Sequence, residues 1–150
     1  MKAILNKQAN FDYQILDKFE AGLVLTGPEV KSVKNGQINL KGSYITIKHE
    51  PKTEVYLLNA HISKYKPAGI QPNYEPTQSR KLLLHKKEIN KLLGILQQKG
   101  LTLVPLRVYT KHNRIKLEFG VGKGKKKFEK KETIKQRDTK RKIERAMKQH

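Results

Sequence analysis

The chain has 150 residues, of which 33 are Lys or Arg and 13 are Asp or Glu, for a formal net charge of +20. It contains no Cys, which excludes disulfides and thiolate chemistry, and it offers no run of about 18 apolar residues to span a bilayer. A charge of this size is offset most readily by a polyanion, with nucleic acid ahead of an anionic membrane surface.

The N-terminus, Met1 to Asn6, lacks the apolar run of a signal peptide, so a cytoplasmic protein is expected, and separately a monomer. Tyr13 to Leu16 and Leu23 to Leu25 read as short strands, with Gly22 a candidate bulge between them. Thr26-Gly27-Pro28-Glu29 then opens a short helix. Thr26 can cap, Glu29 stands three residues on, and Pro28 lies in the first turn, where its missing N–H costs nothing. Asn35-Gly36 ends it with a left-handed residue. Ser43 to His49 alternates, with Ile45 and Ile47 on one face, and Glu54 to Leu58 reads as its partner. Lys64 to Ser79 carries four prolines or glycines at Pro67, Gly69, Pro72 and Pro76, which makes it a long loop.

The spacing of Ile89, Leu92, Leu93 and Leu96 predicts a helix over Lys86 to Lys99, stopped by Gly100. Leu101 to Tyr109 and Arg114 to Val121 are the clearest strands, joined by a turn at Lys111 to Asn113. The second points Ile115, Leu117, Phe119 and Val121 inward. Short strands outnumber helices, which predicts a mainly β body, an antiparallel β-barrel with short flanking helices and no open edge.

After Val121 the character changes. Residues 120–150 hold 13 basic and 4 acidic residues, a net +9, and the remainder has 20 against 9, a net +11. The expected division is a body at 1–122 and a basic C-terminal tail at 123–150. The tail is expected to be disordered alone and to order on its target, because it has little to bury.

Gly120-Val121-Gly122-Lys123-Gly124-Lys125 invites a phosphate-loop reading, but a Walker loop needs Gly-Lys-Ser/Thr after four intervening residues. The five histidines show no metal-ligand spacing and no Cys joins them, so no metal site or cofactor is expected. No catalytic residues are assigned, since neither paired carboxylates nor a triad stands out. A nuclease is the weakest alternative. Six tyrosines, Tyr44 and Tyr109 among them, offer stacking platforms for bases or simply half-buried strand residues. Glu20 reads either as a charge paired with a neighbouring Lys or as an acceptor for base and 2′-hydroxyl donors, which a Lys cannot be.

Several blocks in order resemble the SsrA-binding protein (SmpB) family, the protein partners of transfer-messenger RNA. They are Asn6-Lys7, Asp12-Tyr13, Glu20-Ala21-Gly22 and Thr26 through Ser32; then Asn39-Leu40-Lys41, Ser43-Tyr44, His61-Ile62-Ser63 and Tyr65. Arg80 through Ile89, Gly100 through Leu106, Gly124-Lys125-Lys126, Ile134-Lys135 and Arg137-Asp138 complete the set. The match runs from about Asn6 to Lys148.

The resemblance implies an OB-like barrel that clasps the transfer-RNA-like part of that RNA at its elbow and accompanies it into stalled ribosomes. The tail would enter the decoding site and the vacant mRNA channel as a helix. By motif, Asn6, Glu20 and Leu83 match the elbow contacts, and Lys31, Tyr44, Arg80 and Lys81 stand in the same blocks as further RNA-binding candidates. Lys123, Gly124, Lys125, Lys126, Phe128, Lys130, Lys131, Ile134, Lys135 and Arg137 match the ribosome-binding tail. Four positions depart from the family pattern. Phe11 replaces a common His, Gln78 a basic residue, Phe128 a Tyr or His, and Lys131 an Arg whose planar fork a Lys cannot form. The alternative from a different class is a structural ribosomal protein with a basic extension.

Overall fold

A computed structural model describes residues 1–125 and 137–143. The elements, in chain order, are β1 (Ile4–Leu5), α1 (Ala9–Asp12), β2 (Tyr13–Leu23), α2 (Gly27–Lys34), β3 (Ile38–Asn39), β4 (Tyr44–Lys48), β5 (Glu54–Leu58), β6 (His61–Ile62), β7 (Arg80–Leu83), α3 (Lys86–Leu96), β8 (Leu101–Lys111) and β9 (Arg114–Gly124). A single turn of 3-10 helix at Lys66–Ala68 interrupts the long loop before β7. Residues 137–143 are helical.

Seven strands form one antiparallel sheet in the order β1-β8-β9-β2-β7-β5-β4, and β3 with β6 makes a separate two-stranded ladder. The expected barrel is therefore open: among the described residues no ladder joins β4 to β8, and β1 and β4 are the edges of the sheet. Apolar side chains stand where that ladder would be. Leu93 and Leu96 of α3 line the seam beside Ile45, Ile47 and Leu103. The amphipathic helix thus covers the seam that hydrogen bonds leave open.

In place of the two short strands expected before the first helix runs one strand, β2, which pairs with β9 from Tyr13 to Gly22 and ends at Leu23, leaving Val24 and Leu25 outside it. Its irregularity lies between Ile15 and Asp17, not at Gly22. Gly22 pairs regularly with Lys116 and Leu83, and an added Cβ there would sit 3.3 Å from Leu83 Cβ. Two glycines of β9 leave room for close packing beside the bulge. A Cβ on Gly120 would lie 2.8 Å from Ile15 Cγ2 and 3.0 Å from the Asp17 carbonyl oxygen. One on Gly122 would lie 2.8 Å from Val104 Cγ2. The glycine-rich run is a close strand crossing, and β9 continues three residues beyond the expected end at Val121.

The hairpin between β8 and β9 follows from His112 and Asn113. Both take positive φ, 51° and 62°, as a two-residue type I′ turn requires. It fixes Lys111 opposite Arg114, and the alternation then buries Ile115, Leu117, Phe119 and Val121. Phe119 stacks on Phe19 of β2 with ring centroids 5.6 Å apart. Leu57, Ile62, Val33 and Leu92 bring β5, β6, α2 and α3 into the same core. The first long helix has the expected cap: Thr26 and Glu29 bond each other's backbone N–H reciprocally. The second ends at Leu96, earlier than expected, before Gly100 at φ 83°.

Candidate nucleic-acid interface

Because side chains alternate along a strand, the residues between the buried ones face outward. Register then assembles them into one surface. Glu20 of β2 sits opposite Glu118 of β9, which sits opposite Arg107 of β8, and Lys116 sits opposite Tyr109. Contacts join them into a row. The Tyr109 hydroxyl donates to Glu20 Oε2, and Lys111 Nζ lies 3.5 Å from Glu20 Oε1. The Arg107 guanidinium covers the Tyr109 ring at 4.5 Å and bonds Glu118 at 3.1 Å.

The Tyr109 hydrogen bond, with smaller help from Lys111 and Lys116, holds the Glu20 carboxyl below the usual carboxylate range. Partial burial and the neighbouring carboxylate push the Tyr109 hydroxyl well up. Glu20 therefore stays an anion and Tyr109 stays a donor across the neutral range. One carboxylate is fixed as an acceptor in a setting of cations.

At one end of this row lies an open hollow of about 900 Å³. Glu20, Leu83, His85, Arg114 and Lys116 line it. Leu83 is 56% exposed, an apolar surface beside an ionised acceptor. At the other end, Asn6 donates its side-chain amide to the Pro105 carbonyl at 2.8 Å, and its N–H meets the Leu106 carbonyl. That end opens into a second hollow of about 610 Å³, where Asn6, Arg107 and Glu118 meet Arg137 and Arg141 of the 137–143 helix.

The structure thus brings Asn6, Glu20 and Leu83 onto one continuous face. Lys81, exposed and 3.8 Å from Glu54, follows on the outer side of β7. Tyr44 is 53% exposed but lies on the edge strand β4. Lys31 lies apart on α2, with its Nζ 5.8 Å from the Tyr65 ring centre.

Arg80 is a correction. It is 3% exposed, and its donors are engaged inside the protein: Nε and Nη2 on Glu29 at 3.0 and 2.6 Å, Nη1 on the Ala60 carbonyl, Nη2 also on the Pro76 carbonyl. It cannot meet an RNA phosphate from there. Gln78, one of the departures from the family pattern, donates to the same Glu29 carboxylate. Burial pushes the Glu29 carboxyl up, but the Thr26 N–H and Arg80 outweigh it, and the net direction is down.

Lys123 and Gly124 belong to the sheet, opposite Gln14 and Tyr13, and Lys125 donates its N–H to the Asp12 carbonyl. Arg137 is exposed. Lys126, Phe128, Lys130, Lys131, Ile134 and Lys135 lie outside the described residues. Arg107, Lys111, Lys116 and Glu118 escaped the sequence-based selection. Counting back from the hairpin turn would have found them, since the pairing of Lys111 with Arg114 carries unbroken to Arg107 and Glu118. Among the described residues there is no cluster of three or more metal-ligating side chains and no helix long and apolar enough to cross a membrane.

The chain matches the SmpB protein family over residues 3–149. The SsrA-binding protein of Oceanobacillus iheyensis is 51% identical over 97% of this chain and 92% of its own length. That of Trichodesmium erythraeum is 50% identical, over 97% of this chain and 91% of its own. A solved chain described as "tmRNA-SmpB: a journey to the center of the bacterial ribosome" superposes with a TM-score of 0.66. It is 43% identical and covers 83% of this chain and 85% of its own.

Proposed function

We propose, for a chain that belongs to the SmpB family, the work of an RNA-binding adaptor in the cytoplasm. It binds the tRNA-like domain of transfer-messenger RNA and delivers it to stalled ribosomes for trans-translation. It makes and breaks no covalent bond. The relatives named above are SsrA-binding proteins, so the alternative of a structural ribosomal protein gains nothing from them. Affinity comes from counterion release by the basic surface and selectivity from shape and placed acceptors. The carrying observation is the outward row Lys111–Glu20–Tyr109–Arg107–Glu118 beside exposed Leu83. An ionised carboxylate repels phosphate, so this reading sets base or 2′-hydroxyl donors of the RNA against Glu20.

We assign RNA binding to the body and ribosome engagement to the tail, whose basic residues would line the decoding site and the empty mRNA channel. The boundary belongs after Lys125, because Gly122, Lys123 and Gly124 complete the ladder with β2. The test is binding of the isolated tRNA-like RNA to the Glu20→Ala variant. A charged hydrogen bond is worth about 1.5–3 kcal/mol, so affinity falls at least about tenfold. Unchanged affinity in a folded variant would remove Glu20 from the interface.

A further inference from the structure

The hollow at the Asn6 end of the row has two walls. The body supplies Lys7, Lys18 and Arg107, and the 137–143 helix supplies Arg137 and Arg141. Those two arginines are four residues apart, so they share one helix face. Among the described residues Glu118 is the one carboxylate in the lining, and it is already paired with Arg107. Among the described residues, five cations therefore converge on a hollow of about 610 Å³ with one committed anion. A neighbouring hollow repeats the pattern, with Lys18 and Lys125 on the body, Arg137 and Lys140 on the helix, and no carboxylate among the described residues of its lining. Two like-charged walls repel each other when empty. An anion between them turns the same arrangement into attraction, and an open cleft of this size gives it room.

We propose that residues 137–143 and the β2–β8 face form a two-walled clamp for backbone phosphates of RNA. It is distinct from the Glu20–Leu83 hollow and rests on the RNA-binding reading above. The Arg forks suit phosphate oxygens bidentately, and the two lysines add point charges from the opposite wall. The phosphates come either from the RNA already lying along the row or from a second strand that meets the protein there.

The test measures binding by the full chain from about 50 to about 200 mM salt. One variant removes the helix wall (R137A/R141A), one removes the body wall (K7Q/K18Q), and a third removes both. Circular dichroism and urea melts check that each is folded. The tRNA-like RNA is the first probe. The second is an oligouridylate added to the preformed complex. Each phosphate contact contributes about 0.7–0.9 to the slope of log affinity against log salt, so removing either wall flattens it by about 1.5. Because both walls grip the same phosphates, removing both costs less than the sum of the two.

An effect on the tRNA-like RNA alone assigns the phosphates to that RNA, and an effect only on the oligouridylate assigns them to a second strand. Strict additivity, or no change with either probe, overturns the clamp. Failure of the unmodified chain to bind the tRNA-like RNA would instead sink the adaptor reading, while the oligouridylate arm still decides the clamp.

Discussion

Replacing Arg80 by Met should unlatch the long loop from the body without touching an RNA contact. Arg80 and Glu29 form an ion pair at 2.6 Å with both side chains 2% exposed. The guanidinium also reaches the Ala60 and Pro76 carbonyls, while Tyr74 bonds Glu29 and the Ile62 carbonyl. One pair thus ties α2, β7 and both ends of the loop 63–79. Breaking such a pair by removing one partner costs about 3–5 kcal/mol, because the other charge stays buried. With a urea m-value of about 2 kcal/mol/M the midpoint falls by about 2 M, and for a chain of this size Tm falls by about 8–16 °C. The double change Arg80→Met with Glu29→Leu should recover part of that loss. It leaves no orphaned charge but still forfeits the Glu29 half of the capping box. Acid should act in the same direction as the single variant. The Glu29 carboxyl is depressed in the folded state, so its contribution is full above the usual carboxylate range and disappears as pH falls through its lower folded value. Equilibrium urea melts at neutral and acid pH, with RNA binding measured where each variant is folded, decide it. An Arg80→Met protein of unchanged stability that has lost its RNA affinity would refute the reasoning and restore Arg80 to the interface.

Tyr109→Phe removes the main group that holds Glu20 ionised, so the Glu20 carboxyl rises toward its ordinary value. RNA affinity should change little at neutral pH and fall sooner on acidification. An unchanged acid limb in a binding titration would show that Tyr109 does not tune this acceptor. Gly120→Ala forces a Cβ to 3.0 Å from the Asp17 carbonyl oxygen and 2.8 Å from Ile15, at a cost of about 1–3 kcal/mol of overpacking. A melt that does not move would mean that the β2 bulge relaxes freely. A chain ended after Lys125 should melt as the full chain does. One ended after Val121 loses the ladder residues Gly122 to Gly124 and should melt earlier. Equal melting of the two would mean that residues 122–125 add nothing to the body and that the boundary does not lie after Lys125.

Local chemistry was legible where one residue type has one use. Thr26 with Glu29, the His112-Asn113 turn and the alternation from Ile115 to Val121 all fold as their side chains require. The misreadings came from residues whose use depends on a distant neighbour. Gly120 and Gly122 look like linker until Ile15 and Val104 are known to cross them. Arg80 looks like a phosphate ligand until Glu29, fifty-one positions away, is found beside it. Four short strands, β1, β3, β6 and β7, and the one-turn helix α1 went unread because two to four residues are too few to show a period. Asn6 and Leu83 reached the candidate list through family resemblance. Their meeting on one face with Glu20 is a product of strand order, which composition and periodicity do not encode.

The placement of Glu20 separates two sources of binding that net charge alone would merge. A surface of +20 attracts any polyanion, and that attraction scales with phosphates neutralised, not with their sequence or shape. Adding a fixed anion lowers this general term. It lowers it most for RNAs that put a phosphate near Glu20 and least for one that puts a donor there. A charged hydrogen bond of about 1.5–3 kcal/mol then turns the penalty into a gain for the correct fold alone. In the proposed role the carboxylate would act as a filter, with Tyr109 and Lys111 keeping it charged and held in place. Glu20→Gln makes this testable. It keeps the shape, removes the repulsion and should raise affinity for unrelated RNAs while lowering it for the tRNA-like domain. A Gln variant that strengthened or weakened both equally would show that the carboxylate contributes charge and no selectivity.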